Sequence, residues 1–176
     1  MSEITVRGLT EDDWETYRSV RLAALEESPE AFAATLAQEQ GYDEELWRLR
    51  MRRSQRLLAQ DADGQAVGVA SVGHAEDAPE RVAELFGLWV RPAARGTGVA
   101  TQLVQAGADT ARAQGRSHLA YWVGTDNGRA VAFASGFGFR PTDSRRPMRV
   151  KGDDDDVEDE VAMVLPLGED RGVPNL

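Results

Sequence analysis

One block in the middle of this chain leaves few folds open. Glu84-Leu85-Phe86-Gly87-Leu88-Trp89-Val90 is an apolar run of strand length, and Arg91-Pro92-Ala93-Ala94 turns it into Arg95-Gly96-Thr97-Gly98-Val99-Ala100. A helical pattern then continues to about Gln114 and stops at Gly115. Glycines between a strand and a helix start let several backbone N–H groups point at one spot. The first turn of a helix adds unpaired donors and the positive end of its dipole, so such a spot suits phosphate. Arg95 adds a permanent cation beside it. The block therefore predicts a grip on a phosphate- or pyrophosphate-bearing ligand.

The loop chemistry narrows further. A nucleotide-triphosphatase loop requires Gly-Lys followed by Ser or Thr, and the chain has no Gly-Lys pair. A dinucleotide fingerprint needs a third small residue where this chain has Thr101, and it belongs on an N-terminal strand–helix–strand unit rather than mid-chain. An oxidoreductase binding a nicotinamide cofactor is excluded on the same two grounds. What fits is Arg-x-x-Gly-x-Ala, carried by Arg95, Gly98 and Ala100. Downstream, Ser117 to Val123 has a strand pattern, followed by Asn127, Ala130, Phe133 and Gly138-Phe139. Each has a local account: Asp126 or Asn127 caps a helix, Ala130 and Phe133 share a face, and Gly136 or Gly138 lets the chain leave.

Together these motifs resemble the GNAT superfamily of acyl-CoA-dependent N-acyltransferases. The resemblance is strong over residues 80–140 and weak before residue 56. It implies a mixed, mostly antiparallel sheet of six or seven strands with helices on both faces. It implies acetyl-CoA as co-substrate, bound by Arg95, Gly96, Thr97, Gly98, Val99, Ala100 and Phe133, with Asn127 near the pantetheine arm. It also implies that backbone N–H groups around Leu88, Trp89 and Val90 face the thioester carbonyl, where they would stabilise developing negative charge. Glu84 stands where several members carry a catalytic base, and apolar Leu85 and Phe86 beside it would suit a carboxylate tuned for that work. The chain departs from the family at Ala134, seven residues after Asn127, where many members have a Tyr that protonates the leaving thiolate. Tyr121, Tyr17 and Ser135 are substitutes among which the sequence does not choose.

Composition sets outer bounds. With 176 residues, 41% of them hydrophobic, the chain has the size of one domain with a real core. No apolar stretch reaches the roughly eighteen residues of a membrane span. The N-terminus lacks the basic and apolar regions of a signal peptide, and cysteine is absent, so a cytoplasmic setting is expected. Absence of a thiol also predicts direct transfer rather than an enzyme thioester. The net charge of −10 argues against nucleic acid and, by its long-range field, leans towards a cationic acceptor and against a polyanionic one. The run Asp153 to Asp156 with Glu158, Asp159 and Glu160 reads as a solvated hairpin tip. It lacks the spacing of a calcium loop, and no metal is expected.

Periodicity gives the order βααα-βββ-α-β-α-ββ. Expected elements are a strand from Glu3 to Arg7, a helix opened by Thr10 and Asp13, a second started by Ser28-Pro29, and a third capped by Asp43. Strands follow at Arg56–Gln60, Gln65–Gly73 and Arg81–Val90, the first two joined at Asp61-Ala62-Asp63-Gly64. A final hairpin is expected from Arg146–Lys151 and Glu160–Leu167, then a loose tail, with open strand edges that invite a homodimer. His74 and His118 are weaker candidates for a base, better explained as surface or capping residues. The resemblance thus implies an N-acetyltransferase for a primary amine: a small metabolite, an antibiotic-like amine or a peptide N-terminus. The alternative is a non-catalytic acyl-CoA sensor on the same fold, which Ala134 favours and Glu84 disfavours.

Overall fold

Seven strands form one sheet in the order β1-β2-β3-β4-β5-β7-β6, with helices against both faces. The structure is a computed structural model and describes residues 3–32, 34–75, 78–147, 159–168, 172–174 and 176. The strands are β1 (Thr5–Gly8), β2 (Gln55–Gln60), β3 (Ala66–Gly73), β4 (Val82–Val90), β5 (His118–Gly124), β6 (Arg140–Pro147) and β7 (Asp159–Pro166). The α-helices are α1 (Trp14–Glu27), α2 (Leu36–Gln40), α3 (Glu44–Arg53), α4 (Val99–Ala113) and α5 (Gly128–Phe137). Every neighbouring pair is antiparallel except β4–β5. The predicted mixed sheet and its element order are borne out. No helix among the described residues is long and apolar enough to cross a membrane.

Local chemistry sets most of the boundaries. Asp43 Oδ1 accepts from Leu46 N at 2.9 Å, and Thr35 and Gln38 form a reciprocal capping box at the start of α2. In the β2–β3 turn, Gly64 takes φ +80 and Asp61 Oδ1 accepts from the N–H groups of Asp63 and Gln65. On one face α4 buries Val99, Leu103, Val104, Ala108 and Ala111 against Leu57, Val72, Leu85 and Leu119. Each fully buried Val or Leu among them contributes about 1.5–3 kcal/mol. Gly107 makes the close approach possible, since a Cβ there would stand 3.0 Å from Leu85 Cδ1. On the other face α1 and α3 pack Tyr17, Val20, Trp47 and Met51 over Leu58, Val69 and Trp89.

Three expectations need correction. The segment begun by Ser28-Pro29 makes one 3-10 turn, Pro29–Ala31, and no helix. Phe32 is already extended (φ −129, ψ 145), and its ring lies 4.6 Å from the Arg21 guanidinium carbon, so a tertiary contact ends the turn. Next, β6 starts at Arg140 rather than Arg146. Gly138, at φ +122, closes α5 by donating to the Ala134 and Ser135 carbonyls and turns the chain straight into the strand. Its sequence, Arg-Pro-Thr-Asp-Ser-Arg-Arg-Pro, hides a strand because only Thr142, Ser144 and Arg146 point inward. Of the final hairpin only β6 is an edge, for β7 lies between β5 and β6. Lys151 and the acidic run from Asp153 to Glu158 fall outside the described residues.

The tail is tied down at two points. His118, 2% exposed, accepts from Ser117 Oγ at Nδ1 and donates from Nε2 to the Gly172 carbonyl at 2.7 Å. Ser144 Oγ donates to the Leu176 carbonyl at 3.3 Å. His118 is therefore a buried anchor, and His74 bonds the Pro79 carbonyl at 3.1 Å beyond the end of β3.

Candidate active site

The sheet opens where its single parallel pair ends. β4 and β5 pair from Val82–His118 to Leu85–Tyr121 and then part. Beyond that point β4 bonds only β3, and β5 bonds only β7. Gly87, at φ +63, sits in a bulge of β4 that lets the register slip between Val69 and Ser71 of β3. The bulge reverses the alternation of the strand. Ala83 and Leu85 face α4 before it, whereas Leu88 and Val90 do so after it. Glu84 and Phe86 consequently share the opposite face with Trp89. A cleft of about 200 Å³ fills the gap, walled by Glu84, Phe86, Leu88, Tyr121, Trp122 and Glu160 among others.

A second cleft, of about 370 Å³, lies at the N-terminus of α4 between Val90, the glycine loop and Phe133 of α5. Gly96 (φ +80) and Gly98 (φ +90) hold the loop in a left-handed conformation, and Gly98 is the N-cap of α4. A Cβ on either glycine would meet no protein atom within 4 Å, so the space beside both is open. The first intrahelical bond of α4 is donated by Gln102 N to Gly98 O, and no side chain caps the helix. The N–H groups of Val99, Ala100 and Thr101 are thus left for a ligand. Open space, positive φ and unused donors fit the pyrophosphate and pantetheine of acetyl-CoA.

The predicted residues distribute unevenly around these clefts. Arg95, Gly96, Gly98, Val99, Ala100, Val90 and Phe133 line the loop cleft, and Leu88 lines the gap. Thr97 Oγ1 bonds the Ala94 carbonyl and stiffens the loop from within. The Trp89 ring turns to the α1/α3 side. Asn127 Oδ1 accepts from Ala130 N at 3.1 Å, so that side chain caps α5. Arg95 is held more firmly than a free cation: Nε donates to Val90 O and Nη2 to Glu27, both at 2.9 Å. Glu27 also accepts from Ser28 Oγ and, at 2.9 Å, from Trp89 Nε1. Hydrogen bonds from Ser28 and Trp89, then the Arg95 charge, hold its carboxyl below the usual range. Sequence reasoning missed Glu27, since 68 residues separate it from Arg95.

Glu84 lies in the mouth of the gap with company that the sequence did not reveal. Arg146 of β6 stands 3.6 Å from Glu84 Oε1 and 3.3 Å from Glu160 Oε1. Its guanidinium stacks over Trp122 at 4.2 Å. The carboxylate is therefore part of an ion-paired cluster rather than isolated in apolar surroundings. Tyr121 is the phenol nearest this chemistry, since it walls the gap. Burial, and then the Glu160 charge, push its pKa up, so the hydroxyl keeps its proton. Tyr17 is buried among α1 and α3 side chains, and Ser135 is exposed on α5.

Beyond the gap the space widens to about 490 Å³ under α1, α2 and α3. Its floor holds Glu39, 1% exposed, which accepts two bonds from Arg21 (3.0 and 2.9 Å) and one from Arg50 (2.7 Å). Burial alone would raise the Glu39 pKa; hydrogen bonds and charge from the two arginines outweigh it and leave the carboxyl lowered. Glu39→Gln leaves two partly buried cations without their anion, and is expected to destabilise the fold by about 3 kcal/mol. The sign with pH follows. A lowered folded pKa contributes stability that is complete above the unfolded value, about 4.3, and is lost as pH falls through the folded value. Urea melts between pH 3 and 7 should show a shallower acid loss in the variant; parallel curves would remove Glu39 from that role.

A mixed sheet splayed beside its one parallel strand pair, with a glycine cradle at one end of the gap and a carboxylate at the other, defines this α/β fold and its candidate site. The chain belongs to the Acetyltransferase (GNAT) family, whose model matches residues 9–139. It is 28% identical over 151 residues to a mycothiol acetyltransferase of Renibacterium salmoninarum, covering 81% of this chain and 42% of that protein. The chain thus spans less than half the length of that relative. Among solved structures it is similar in fold to the yncA acetyltransferase from Salmonella typhimurium, determined with its cofactor acetyl-CoA (TM-score 0.71, 20% identity, 96% of each chain covered). It is also similar to a GNAT acetyltransferase from Streptococcus pneumoniae (TM-score 0.73, 17% identity, 93% and 99% covered).

Proposed function

We propose that this protein is an N-acetyltransferase that moves an acetyl group from acetyl-CoA directly to a primary amine. The observation that carries the reading is the parting of β4 and β5, with the α4 cradle at one end and Glu84 at the other. Acetyl-CoA, when bound, supplies an activated acyl thioester. The N–H groups of Val99, Ala100 and Thr101 hold its phosphates, and Leu88, Val90 and Phe133 shield its arm from water. Backbone donors of the splayed half of β4 face the acyl oxygen. Glu84, directly or through a water, takes the proton that makes the amine nucleophilic. Tyr121 is the proton donor for the departing thiolate, in place of the residue replaced by Ala134.

The reading includes one catalytic unit, with acceptor-side helices over 10–55, an acyl-CoA core over 80–140 and a closing hairpin formed by β6 and β7, acting in the cytoplasm. A homodimer built on an open hairpin edge would have to use β6, where Pro141 and Pro147 lack N–H donors. The second reading, an acyl-CoA sensor without turnover, is favoured by Ala134, which is fully buried and offers no proton.

One experiment separates them. Calorimetric titration with acetyl-CoA is expected to give saturable one-site binding, and a screen of amines is expected to give thiol release. The cysteine-free chain contributes no thiol background. Binding without release from any amine would favour the sensor, and no binding by folded protein would overturn both readings.

A further inference from the structure

The wide end of the site has a charge pattern that runs against the charge of the chain as a whole. Among the described residues Glu39 is the one carboxylate lining the α1–α3 side of the cavity, and it faces two guanidiniums. Arg21 bonds it through Nε and Nη2 and Arg50 through Nη1, so Arg21 Nη1 and Arg50 Nη2 carry donors that Glu39 does not use. Arg21 Nη1 points back towards the β4 bulge, 4.0 Å from where a Cβ on Gly87 would stand. Arg53, one turn along α3, lines the same cavity and has no ion-pair partner among the described residues. Behind them lies Arg56, 5% exposed, bonded to Ser71 Oγ (2.7 Å) and Arg50 O (3.0 Å) but, among the described residues, to no carboxylate, with its buried Nε unpartnered there. This half of the site therefore carries a surplus of cations. The other half holds two carboxylates, Glu84 and Glu160, which stand beside Arg146 among the described residues. The two halves are continuous, since Phe32, Phe86, Gly87, Arg146 and Glu160 line both cavities.

We infer that the acceptor is an amino carboxylate, a small zwitterion whose amine lies towards Glu84 and Glu160 and whose anionic group is held by Arg53 with Arg21 and Arg50. Guanidiniums with spare donors match a carboxylate or phosphonate in charge and geometry. A zwitterion carries no net charge, so the field of a chain at −10 does not repel it, whereas its two ends match the polarity of the site. A polyamine would place a second cation against the arginines. This inference rests on the acetyl-transfer reading for its chemistry and names the acceptor class for the same site.

The test uses the full chain with two readouts. Thiol release from acetyl-CoA is measured with the twenty L-amino acids, with their carboxamides, with 1-aminoalkylphosphonates and with spermidine. Binding of the same compounds to the CoA-saturated protein is measured by calorimetry, which needs no turnover. At least one amino acid should bind and react, with kcat/KM about tenfold to a hundredfold above its carboxamide. Arg53→Gln, on an exposed helix position, should raise KM for the acid more than it lowers kcat and shrink the acid-to-amide ratio towards one. The phosphonate arm tells which anion the arginines prefer. Amides or spermidine favoured over acids, or an unchanged ratio in Arg53→Gln, would overturn the inference and leave acetyl transfer standing. Selective binding of the acids without thiol release from any amine would retain anion recognition and remove acetyl transfer. No binding of any amino acid or phosphonate to CoA-saturated protein would overturn the inference as well.

Discussion

Gly98→Glu is expected to weaken acetyl-CoA binding at least about a hundredfold while the protein stays folded. Two effects add. Gly98 sits at φ +90, so any side chain there costs about 1–2 kcal/mol of backbone strain. That cost falls on stability, because a Cβ would meet no protein atom within 4 Å. The effect on the ligand is separate and larger. The new side chain occupies the open space beside the N–H groups of Val99, Ala100 and Thr101 and sets a carboxylate where the pyrophosphate must lie. Gly98→Ala isolates the terms, since it shares the strain but not the charge or the bulk. Calorimetry alongside thermal melts of the three proteins reads both. Equal affinity in wild type and Gly98→Glu would return the loop to an ordinary turn.

Glu84→Gln is expected to lower kcat by about a hundredfold or more, the usual contribution of a positioned general base, with affinity for acetyl-CoA unchanged. The substitution keeps the shape of a side chain already fitted against Arg146 at 3.6 Å, so little repacking follows. It removes the charge that accepts the ammonium proton. The split between kcat and affinity is the informative part, because Glu84 lies at the gap and not in the α4 cradle. Unchanged turnover would remove Glu84 from proton transfer and shift attention to Glu160, which faces the same guanidinium at 3.3 Å.

Much of this arrangement was legible along the chain because its causes are local. The caps at Asp43 and Asn127, the Asp61–Gly64 turn and the glycine loop each close within a few residues, where residue type and backbone freedom decide the outcome. The same locality explains why the segment after Ser28 misled: Pro29 suits a helix start, yet the Phe32 ring is drawn to Arg21 and the chain extends instead. Strand β6 misled for the converse reason, since an edge strand needs few apolar residues and its pattern is a polar one. The bulge at Gly87 was not read along the chain, since the pairing of β4 with β3 sets it and decides which side chains go to which face.

Charge shows the division most clearly. The sequence by itself determined the family, the order of elements, the phosphate cradle and the net charge, all of which depend on near neighbours or on simple sums. Only the tertiary structure decided where that charge sits. Arg21, Glu39 and Arg50 meet from two helices and a turn of a third, Glu27 reaches Arg95 across 68 residues, and Glu84, Arg146 and Glu160 converge from three strands. Coulomb interactions fall off with distance in space and are strengthened by burial. An acidic chain can therefore build a cationic pocket, and the acceptor it selects is set by the few groups that packing brings within a few ångströms of one another.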